Sequence, residues 1–385
     1  MTASLRLGRI AGIQIGASWS VLFIALLIAW SLAGRILPVQ APGLEPSAYW
    51  LGALVATGLF FGSLLAHELG HAVVARRAGL RVRGITLWLL GGVAQLGDEP
   101  ESPRDDLRVA LVGPAISLAL GAGFGVAAVA LGAVGARTLA TAVAAWLAVG
   151  NTALAVFNLI PAAPLDGGRV LRALLWRRHG NRTRAAVTAT VAGQVAGFAL
   201  IAVGLLGFLF GWGFGDLWIA LVGWFLVGAA RQERDYTVAR QGLEGLRVGD
   251  IMRPTPPPAP AWFTVDAFLR EVVGPSRSAG APSALPLRSF DGQPAGVVTV
   301  AALESVPPDR RHAVRAGDVA VPMWAVLVSR PDEPVTELLD RLADGSRIAV
   351  VVAGGEPVGV VSRAELARAV RPRARHDVLS VTRRP

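Results

Sequence analysis

Long stretches without a charged residue constrain this chain of 385 residues more than any other feature. A helix needs about 20 mostly apolar residues to cross the hydrocarbon core of a bilayer. Six stretches are predicted to be spans: 11–34, 50–66, 109–136, 138–165, 185–215 and 217–230. Charged residues make up only 17% of the chain and the mean hydropathy is +0.51, which excludes a disordered chain and disfavours a soluble one. We therefore predict a polytopic α-helical protein of the cell membrane, embedded in the lipid bilayer, with about six transmembrane helices.

The basic residues predict how the spans are oriented. All of them are arginine, the net charge is +10, and arginine is concentrated at the cytoplasmic ends of spans. With the N-terminus in the cytoplasm, twelve arginines fall in the second-to-third and fourth-to-fifth connections: Arg76, Arg77, Arg81, Arg83, Arg104, Arg108, Arg169, Arg172, Arg177, Arg178, Arg182 and Arg184. The loops on the opposite side receive only Arg35 and Arg137. The N-terminus and everything after the sixth span are therefore expected to be cytoplasmic, and the charge indicates a membrane surface and not nucleic acid.

Near residue 235 the chain changes to the pattern of a soluble domain with an internal repeat. Residues 247–254 align with 315–322, and residues 294–303 align with 357–366. A period of about 65 residues predicts two α+β units of the βαββα type that pack as a pair. The predicted parts are a membrane domain (1–235), a linker (236–245), the tandem pair (246–371, with copies 246–306 and 313–371) and a C-terminal tail (372–385).

The sequence His67-Glu68-Leu69-Gly70-His71, at the inner part of the second predicted span, carries the chemistry. On a helix, residues four apart share a face. The two imidazoles can therefore bind one zinc ion, while Glu68 can take a proton from a water molecule. Helix-packing histidines beside a chance glutamate are the alternative. Ionisable groups are costly at membrane depth, which favours a functional site.

A carboxylate is predicted as the third metal ligand, because the chain has no cysteine and a catalytic zinc ion usually has three protein ligands. The remaining histidines, His179, His312 and His376, lie in an arginine-rich loop or in the soluble tail. Asp166 is the best candidate, since it follows the prolines that break the helix near the end of the fourth span. The alternative role for Asp166 is that of a helix N-cap.

Asn158, near the end of the fourth predicted span, is a candidate hydrogen-bond donor to an oxyanion; the alternative is an interhelical hydrogen bond. Together the two motifs resemble those of site-2 proteases, the intramembrane zinc metalloproteases. The resemblance implies one zinc ion per subunit, held by His67, His71 and Asp166, with Glu68 as general base and Asn158 near the substrate carbonyl. It also implies hydrolysis of peptide bonds in or near transmembrane segments of membrane-protein substrates, as in regulated intramembrane proteolysis.

Gly91, Gly92 and Val93 resemble the glycine-rich re-entrant hairpin that this family has beside its active site. A helical substrate must unwind before it is cut, and a strand edge can pair with the backbone groups that unwinding exposes. We therefore predict that these three residues bind substrate; an ordinary flexible loop is the alternative. Gly113-Pro114, in the third span, is expected to be a kink or a close-packing site.

The repeated tail resembles a tandem pair of cystathionine-β-synthase (CBS) domains. Such pairs often bind adenosine nucleotides, and Ser362 followed by Glu365 is close to the ribose-binding pattern of the family. In the first copy Thr299 is followed by Ala302, which departs from that pattern. At most one nucleotide site, at Ser362 and Glu365, is therefore expected. A purely structural module that forms homodimers is the alternative.

Three functions remain open for the whole chain. The first is an intramembrane zinc endopeptidase whose cytoplasmic CBS domains modulate its activity. The second is a CBS-gated transporter or channel, in which His67, Glu68, His71 and Asp166 would form an ion path. The third is a zinc-binding scaffold without catalysis, which the presence of Glu68 disfavours. The order of residues in the HExxH motif and the lack of a repeat among the spans favour the first.

Overall fold

The chain folds into two compact units, Met1–Thr237 and Val238–Pro385, in a computed structural model. The residues that the structure describes are 5–88, 91–96, 100–133, 138–211, 215–255, 257–277, 284–342, 348–362 and 364–369. Arg137, His376 and the predicted tail 372–385 lie outside the described residues.

Long helices form most of the first unit. They are α1 (Trp19–Ser31), α2 (Leu37–Gln40), α3 (Pro46–Arg77), α4 (Pro103–Ala133), α5 (Leu139–Asn158), α6 (Asp166–His179), α7 (Arg182–Leu209) and α8 (Gly215–Leu243). A π-helical turn, Leu32–Ile36, connects α1 to α2, so that Trp19–Gln40 is one continuous helical segment.

Five helical segments among the described residues are long and apolar enough to cross a membrane: Trp19–Gln40, α3, α4, α5 and α7. They correspond to five of the predicted spans. The sixth predicted span, 217–230, is helical but lies in α8, where Asp216 and Arg231 limit the length of the apolar stretch. The same helix continues through most of the predicted linker, since α8 ends only at Leu243.

The outer faces of these helices are apolar. Large side chains such as Phe23, Trp30, Val126, Val195 and Phe198 are exposed, as expected for helices that are surrounded by hydrocarbon. The residues buried between α3 and α5 are mostly small, for example Ala53, Ala56 and Ala142. Small residues allow membrane helices to approach each other closely. The small buried residues thus suit contact with neighbouring helices, and the large exposed ones suit contact with lipid.

A four-stranded sheet is formed by the segment before α1 and the connection between α3 and α4. Its strands are β1 (Leu5–Ile10), β2 (Ile13–Ala17), β3 (Val82–Trp88) and β4 (Gly91–Leu96), in the spatial order β1-β2-β3-β4. β2 and β3 are parallel, and the other two pairs are antiparallel. Within the described part of the chain, β4 is therefore an edge strand of this sheet.

The first span begins later than the charge-free stretch 11–34 predicts. Ala11 and Gly12 both have positive φ angles, 50° and 75°, which turn the chain sharply between β1 and β2. Ile13 and Ala17 of β2 are buried with core residues of α3 and β3. Because this segment is a buried strand, the first helix begins only at Trp19.

Two four-stranded sheets form the second unit. Its strands are β5 (Arg253–Pro254), β6 (Ala259–Pro260), β7 (Ala284–Arg288), β8 (Pro294–Thr299), β9 (Val321–Pro322), β10 (Leu327–Ser329), β11 (Ile348–Ala353) and β12 (Glu356–Ser362). Its helices are α9 (Val248–Ile251), α10 (Val265–Phe268), α11 (Gly274–Arg277), α12 (Val300–Glu304) and α13 (Val335–Leu342). The strand orders are β6-β7-β8-β9 and β10-β11-β12-β5. Each sheet thus takes one edge strand from the other copy of the repeat.

The two copies make the same contacts at equivalent positions. The backbone N–H of Gly249 donates to the Pro331 carbonyl, and that of Gly317 donates to the Ala261 carbonyl, both at 2.9 Å. The segments aligned in the sequence therefore occupy equivalent places in a tandem pair of the α+β type.

Candidate functional site

The second span presents the HExxH motif on a buried face. His67, Glu68 and His71 all lie within α3, and their exposed fractions are 2%, 9% and 4%. The rings of His67 and His71 are 4.9 Å apart between centroids, as expected for residues one helical turn apart. The predicted helical setting of the motif is therefore confirmed.

Asp166 reaches the two imidazoles from another helix. It is the first residue of α6, and the N-cap position belongs to Leu165, so the N-cap role considered for Asp166 is wrong. Its Oδ2 atom lies 3.1 Å from His67 Nε2 and 3.2 Å from His71 Nε2. The two Nε2 atoms are themselves 3.1 Å apart.

This spacing fits a zinc ion. One donor atom from each of His67, His71 and Asp166 lies within 4.8 Å of the others. Ligands at about 2.0–2.1 Å from a tetrahedral zinc ion lie roughly 3.3 Å from each other, close to the separations observed here. Two nitrogens and one carboxylate oxygen also form a donor set that catalytic zinc sites use.

The loop before Asp166 is packed so closely that only glycine fits beside it. A Cβ atom on Gly167 would lie 2.3 Å from the carbonyl oxygens of Leu159 and Ile160. A Cβ atom on Gly168 would lie 2.3 Å from the backbone nitrogen of Ala163. These glycines let the first turn of α6 pack directly on the loop, which fixes where Asp166 begins its helix.

Helix α4 orients both imidazoles. His71 Nδ1 lies 2.5 Å from the Val109 carbonyl, and His67 Nδ1 lies 2.9 Å from the Ser117 hydroxyl. A carbonyl can only accept, so Nδ1 of His71 carries a proton; in the neutral imidazole this leaves the Nε2 lone pair for a metal ion. Neither partner is predictable from the sequence pattern, although Ser117 stands out as a polar residue inside an apolar span.

Gly113 forms the wall of the site opposite α3. A Cβ atom at this position would lie 2.2 Å from His71 Nε2 and 2.5 Å from His67 Nε2. The predicted close-packing role of Gly113 is therefore correct, but the group that packs against it is the pair of imidazoles. Any larger residue would occupy the space in which the three donors meet.

The charge of Asp166 is stabilised by its partners. Burial raises the pKa of this carboxyl group, but the hydrogen bonds and the positive charges of His67 and His71 together lower it. The pKa of Asp166 is therefore held well below the usual range for a carboxyl group. Asp166 is ionised at neutral pH, as a metal ligand must be.

The edge strand β4 lies against the glutamate of the motif. A Cβ atom on Gly92 would lie 2.3 Å from Glu68 Cγ and 3.0 Å from its Oε1 atom. Gly91 begins this strand, and the side chain of Val93 lies outside the described part of the structure. The structure thus places the backbone of the predicted substrate-binding segment beside Glu68.

Asn158 is the last residue of α5 and is half-buried. Within the described residues, no hydrogen bond joins its side chain to Glu68 or to the three metal-ligand candidates. The carbonyls of the next two residues, Leu159 and Ile160, lie against Gly167. The residues that follow Asn158 therefore pack on the first turn of α6. The role of Asn158 at the oxyanion stays a prediction.

In the second unit, Ser362 and Glu365 bond to each other. The backbone N–H of Ser362 donates to Glu365 Oε2 at 2.9 Å, and its hydroxyl donates to the same oxygen. Arg368 pairs with the other carboxylate oxygen of Glu365. Glu365 and Arg368 also line a cavity of about 960 Å³, together with residues such as Asp250 and Met252. The two predicted nucleotide ligands therefore lie together, and Glu365 lines an open cavity.

Comparisons with known proteins agree with both parts of the chain. The sequence model of peptidase family M50 matches residues 55–139 and 124–204, and that of the CBS domain matches residues 316–372. Rip3 of Mycobacterium tuberculosis, which carries the name of a zinc metalloprotease, is 44% identical over 96% of this chain and 93% of its own length. A Synechocystis protein named in the same way is 31% identical over 97% of each chain. The solved site-2 protease from Methanocaldococcus jannaschii is 26% identical, with a TM-score of 0.42, over 60% of this chain and 94% of its own.

Replacing Gly113 with alanine is expected to abolish zinc binding, because the new methyl group would lie 2.2 Å and 2.5 Å from the two imidazole nitrogens. Gly123→Ala is the matched control on the same helix, since a Cβ atom there meets nothing within 4 Å. Zinc content per purified protein molecule, measured by elemental analysis, should fall in the first variant and stay at the wild-type level in the second. A full complement of zinc in Gly113→Ala would show that the ion binds elsewhere.

Proposed function

Since the chain belongs to peptidase family M50, we propose that it cuts peptide bonds in or near the transmembrane segments of membrane-protein substrates. The chain is a zinc metalloendopeptidase of the site-2 protease type, as its relationship to named zinc metalloproteases over almost its whole length shows. In this proposal His67, His71 and Asp166 hold the zinc ion, and Glu68 is the general base. Family membership favours hydrolysis over the ion path of the transporter alternative.

The meeting of Asp166 with two imidazoles from a different helix carries the proposal. Asp166 is 99 and 95 positions from His67 and His71 in the sequence, yet its Oδ2 atom lies 3.1 Å and 3.2 Å from their Nε2 atoms. A zinc ion held by these donors would supply a Lewis acid that lowers the pKa of water towards about 7 and polarises the scissile carbonyl. The buried setting strengthens these electrostatic effects.

Glu68 moves the proton in the proposed reaction. It takes the proton from the attacking water as the water oxygen bonds to the carbonyl carbon, and it gives that proton to the amine nitrogen as the peptide bond breaks. Its position next to His67 on α3 supports this role, since a base must lie within hydrogen-bond reach of the water. Asn158 would donate a hydrogen bond to the oxyanion that forms on the carbonyl oxygen.

The edge strand β4 is the proposed place where substrate binds. An unwound segment of a transmembrane substrate exposes N–H and C=O groups that must be paired at membrane depth. A free strand edge can pair with them, and Gly92 of β4 lies against Glu68. Pairing with Gly91, Gly92 and Val93 would therefore hold the scissile bond beside the base.

The active site is proposed to open towards the cytoplasm. The arginines that follow α3 and those of α6 lie in the connections assigned to the cytoplasmic side. The N-terminus and the CBS pair would lie on the same side. A substrate span would then be cut near its cytoplasmic end.

The CBS pair is proposed to bind an adenosine nucleotide and to modulate cleavage. The cavity of about 960 Å³ that Glu365 and Arg368 line supports this assignment, because carboxylates bind hydroxyl groups and guanidinium groups bind phosphates. Homodimers that form through the CBS domains are part of the same proposal.

Replacing Glu68 with glutamine is expected to leave zinc bound and to reduce peptide cleavage on the order of 10²–10⁴-fold, because the variant cannot accept the proton. Glu101→Gln is the control, since Glu101 is exposed in the connection before α4. Cleavage of a membrane-embedded reporter and the zinc content are measured for both variants. Retained proteolysis in Glu68→Gln would refute the role of Glu68 as base.

Replacing Glu365 with alanine is expected to weaken AMP binding at least about 10-fold, by removing a charged hydrogen-bonding group from the cavity. Glu356→Ala is the control, because Glu356 is exposed at the turn between β11 and β12. Equilibrium dialysis of labelled AMP against the full-length protein measures both. If the wild-type protein binds no AMP, the CBS pair is a structural module and the nucleotide assignment fails.

A further inference from the structure

A fully buried carboxylate near the start of α4 has no part in the mechanism described so far. Asp106 has an exposed fraction of 0%. Its two oxygens accept hydrogen bonds from Arg172, at 2.8 Å from Nε and 2.7 Å from Nη2. Arg169 adds a third contact at 3.3 Å. Asp106 thus makes a bidentate ion pair with one arginine of α6 and a single bond with another.

The residues of this ion pair lie close in sequence to groups of the metal site on both helices. Asp106 precedes Val109 by less than one helical turn, and the Val109 carbonyl holds His71 Nδ1. Arg169 follows Asp166 by a similar distance along α6. The ion pair therefore joins the helix that orients the imidazoles to the helix that carries the carboxylate ligand.

Helix α6 buries few large side chains. The only residues of α6 that are buried are Gly167, Gly168 and Ala173, none of which has a large side chain. The larger apolar residues Val170, Leu171 and Leu175 are only half-buried, so beyond the glycine contacts of its first turn the apolar contribution to the placement of α6 is small. The rest of its sequence is rich in arginine.

A bidentate pair suits this positioning task. The planar guanidinium of Arg172 meets both oxygens of Asp106, which restricts rotation as well as distance. Buried ion pairs contribute little net stability, because desolvation offsets the attraction, but removing one partner leaves a costly unpaired charge. The contact is therefore better explained by the placement of α6 than by stability of the fold.

We propose that Asp106, together with Arg172 and Arg169, is a positioning group that fixes α6 so that Asp166 meets His67 and His71. The inference rests on the proposed metal centre. Asp106 touches neither the donor atoms nor the substrate, and it acts only through the placement of Asp166. Its loss should therefore weaken zinc binding through the carboxylate ligand alone.

Asp106→Asn tests this proposal directly in the full-length protein in detergent. The dissociation constant for zinc, measured by competition with a chelator, should rise about 10–100-fold, as it does when groups that orient metal ligands are removed. Asp105→Asn is the matched control, because the Asp105 carboxylate is about one-third exposed and bonds Ser102 and Arg108 instead. The zinc affinity of the control should equal that of the wild type.

The same substitution in an Asp166→Ala background separates positioning from a general structural effect. If Asp106 acts through Asp166, the second substitution should change the zinc dissociation constant no further. An additional loss of similar size in that background would overturn the proposal. For substrate cleavage, Asp106→Asn should lower kcat with little change in KM, since the substrate strand is untouched.

Two further outcomes keep this inference distinct from the proposed function. A wild-type protein that binds no zinc would refute the metal centre itself. A wild-type protein that binds zinc tightly, with an unchanged affinity in Asp106→Asn, would refute only the positioning role. If Asp106→Asn does not fold, Arg172→Lys gives the same test, because lysine keeps the charge but loses the bidentate contact; an unchanged zinc affinity there would again contradict the proposal.

Discussion

The structure of the first unit depends on the convergence of two imidazole nitrogens and one carboxylate oxygen within the membrane domain. Ionisable side chains are costly at that depth unless each finds a partner. His67 and His71 meet that requirement with Ser117, with the Val109 carbonyl and with Asp166. Because both Nδ1 atoms are engaged, the two Nε2 atoms are directed towards the same point as the carboxylate, where the proposed zinc ion would bind.

One face of α4 organises this convergence. Asp106, Val109, Gly113 and Ser117 follow each other at intervals of three or four residues and are all buried, so they lie on one side of the helix. Asp106 pairs with the arginines of α6, and the Val109 carbonyl accepts a hydrogen bond from His71. Gly113 leaves room for the three donor atoms of the metal site, and Ser117 bonds His67. Helix α4 contains none of the predicted metal ligands, yet it orients both histidines and pairs with the helix that carries Asp166.

The sequence predicts which residues cluster better than it predicts what positions them. The HExxH spacing, the absence of cysteine and the prolines before Asp166 were sufficient to predict that His67, His71 and Asp166 lie together, because helical periodicity and ligand chemistry are local properties. The contacts of Ser117 and Asp106 join residues that are 50 and 66 positions apart, and no periodicity reveals such pairs. For the same reason the charge-free stretch 11–34 predicts a span where the strand β2 forms, and no sequence pattern predicts the exchange of edge strands between the two repeats.

X-ray absorption at the zinc edge of the purified full-length protein identifies the ligands of the metal centre. We expect one zinc ion per chain with two imidazole nitrogens and at least one carboxylate oxygen at about 2.0–2.1 Å in its first shell. A protein without zinc, or a first shell with three or more imidazoles or with none, would contradict this expectation.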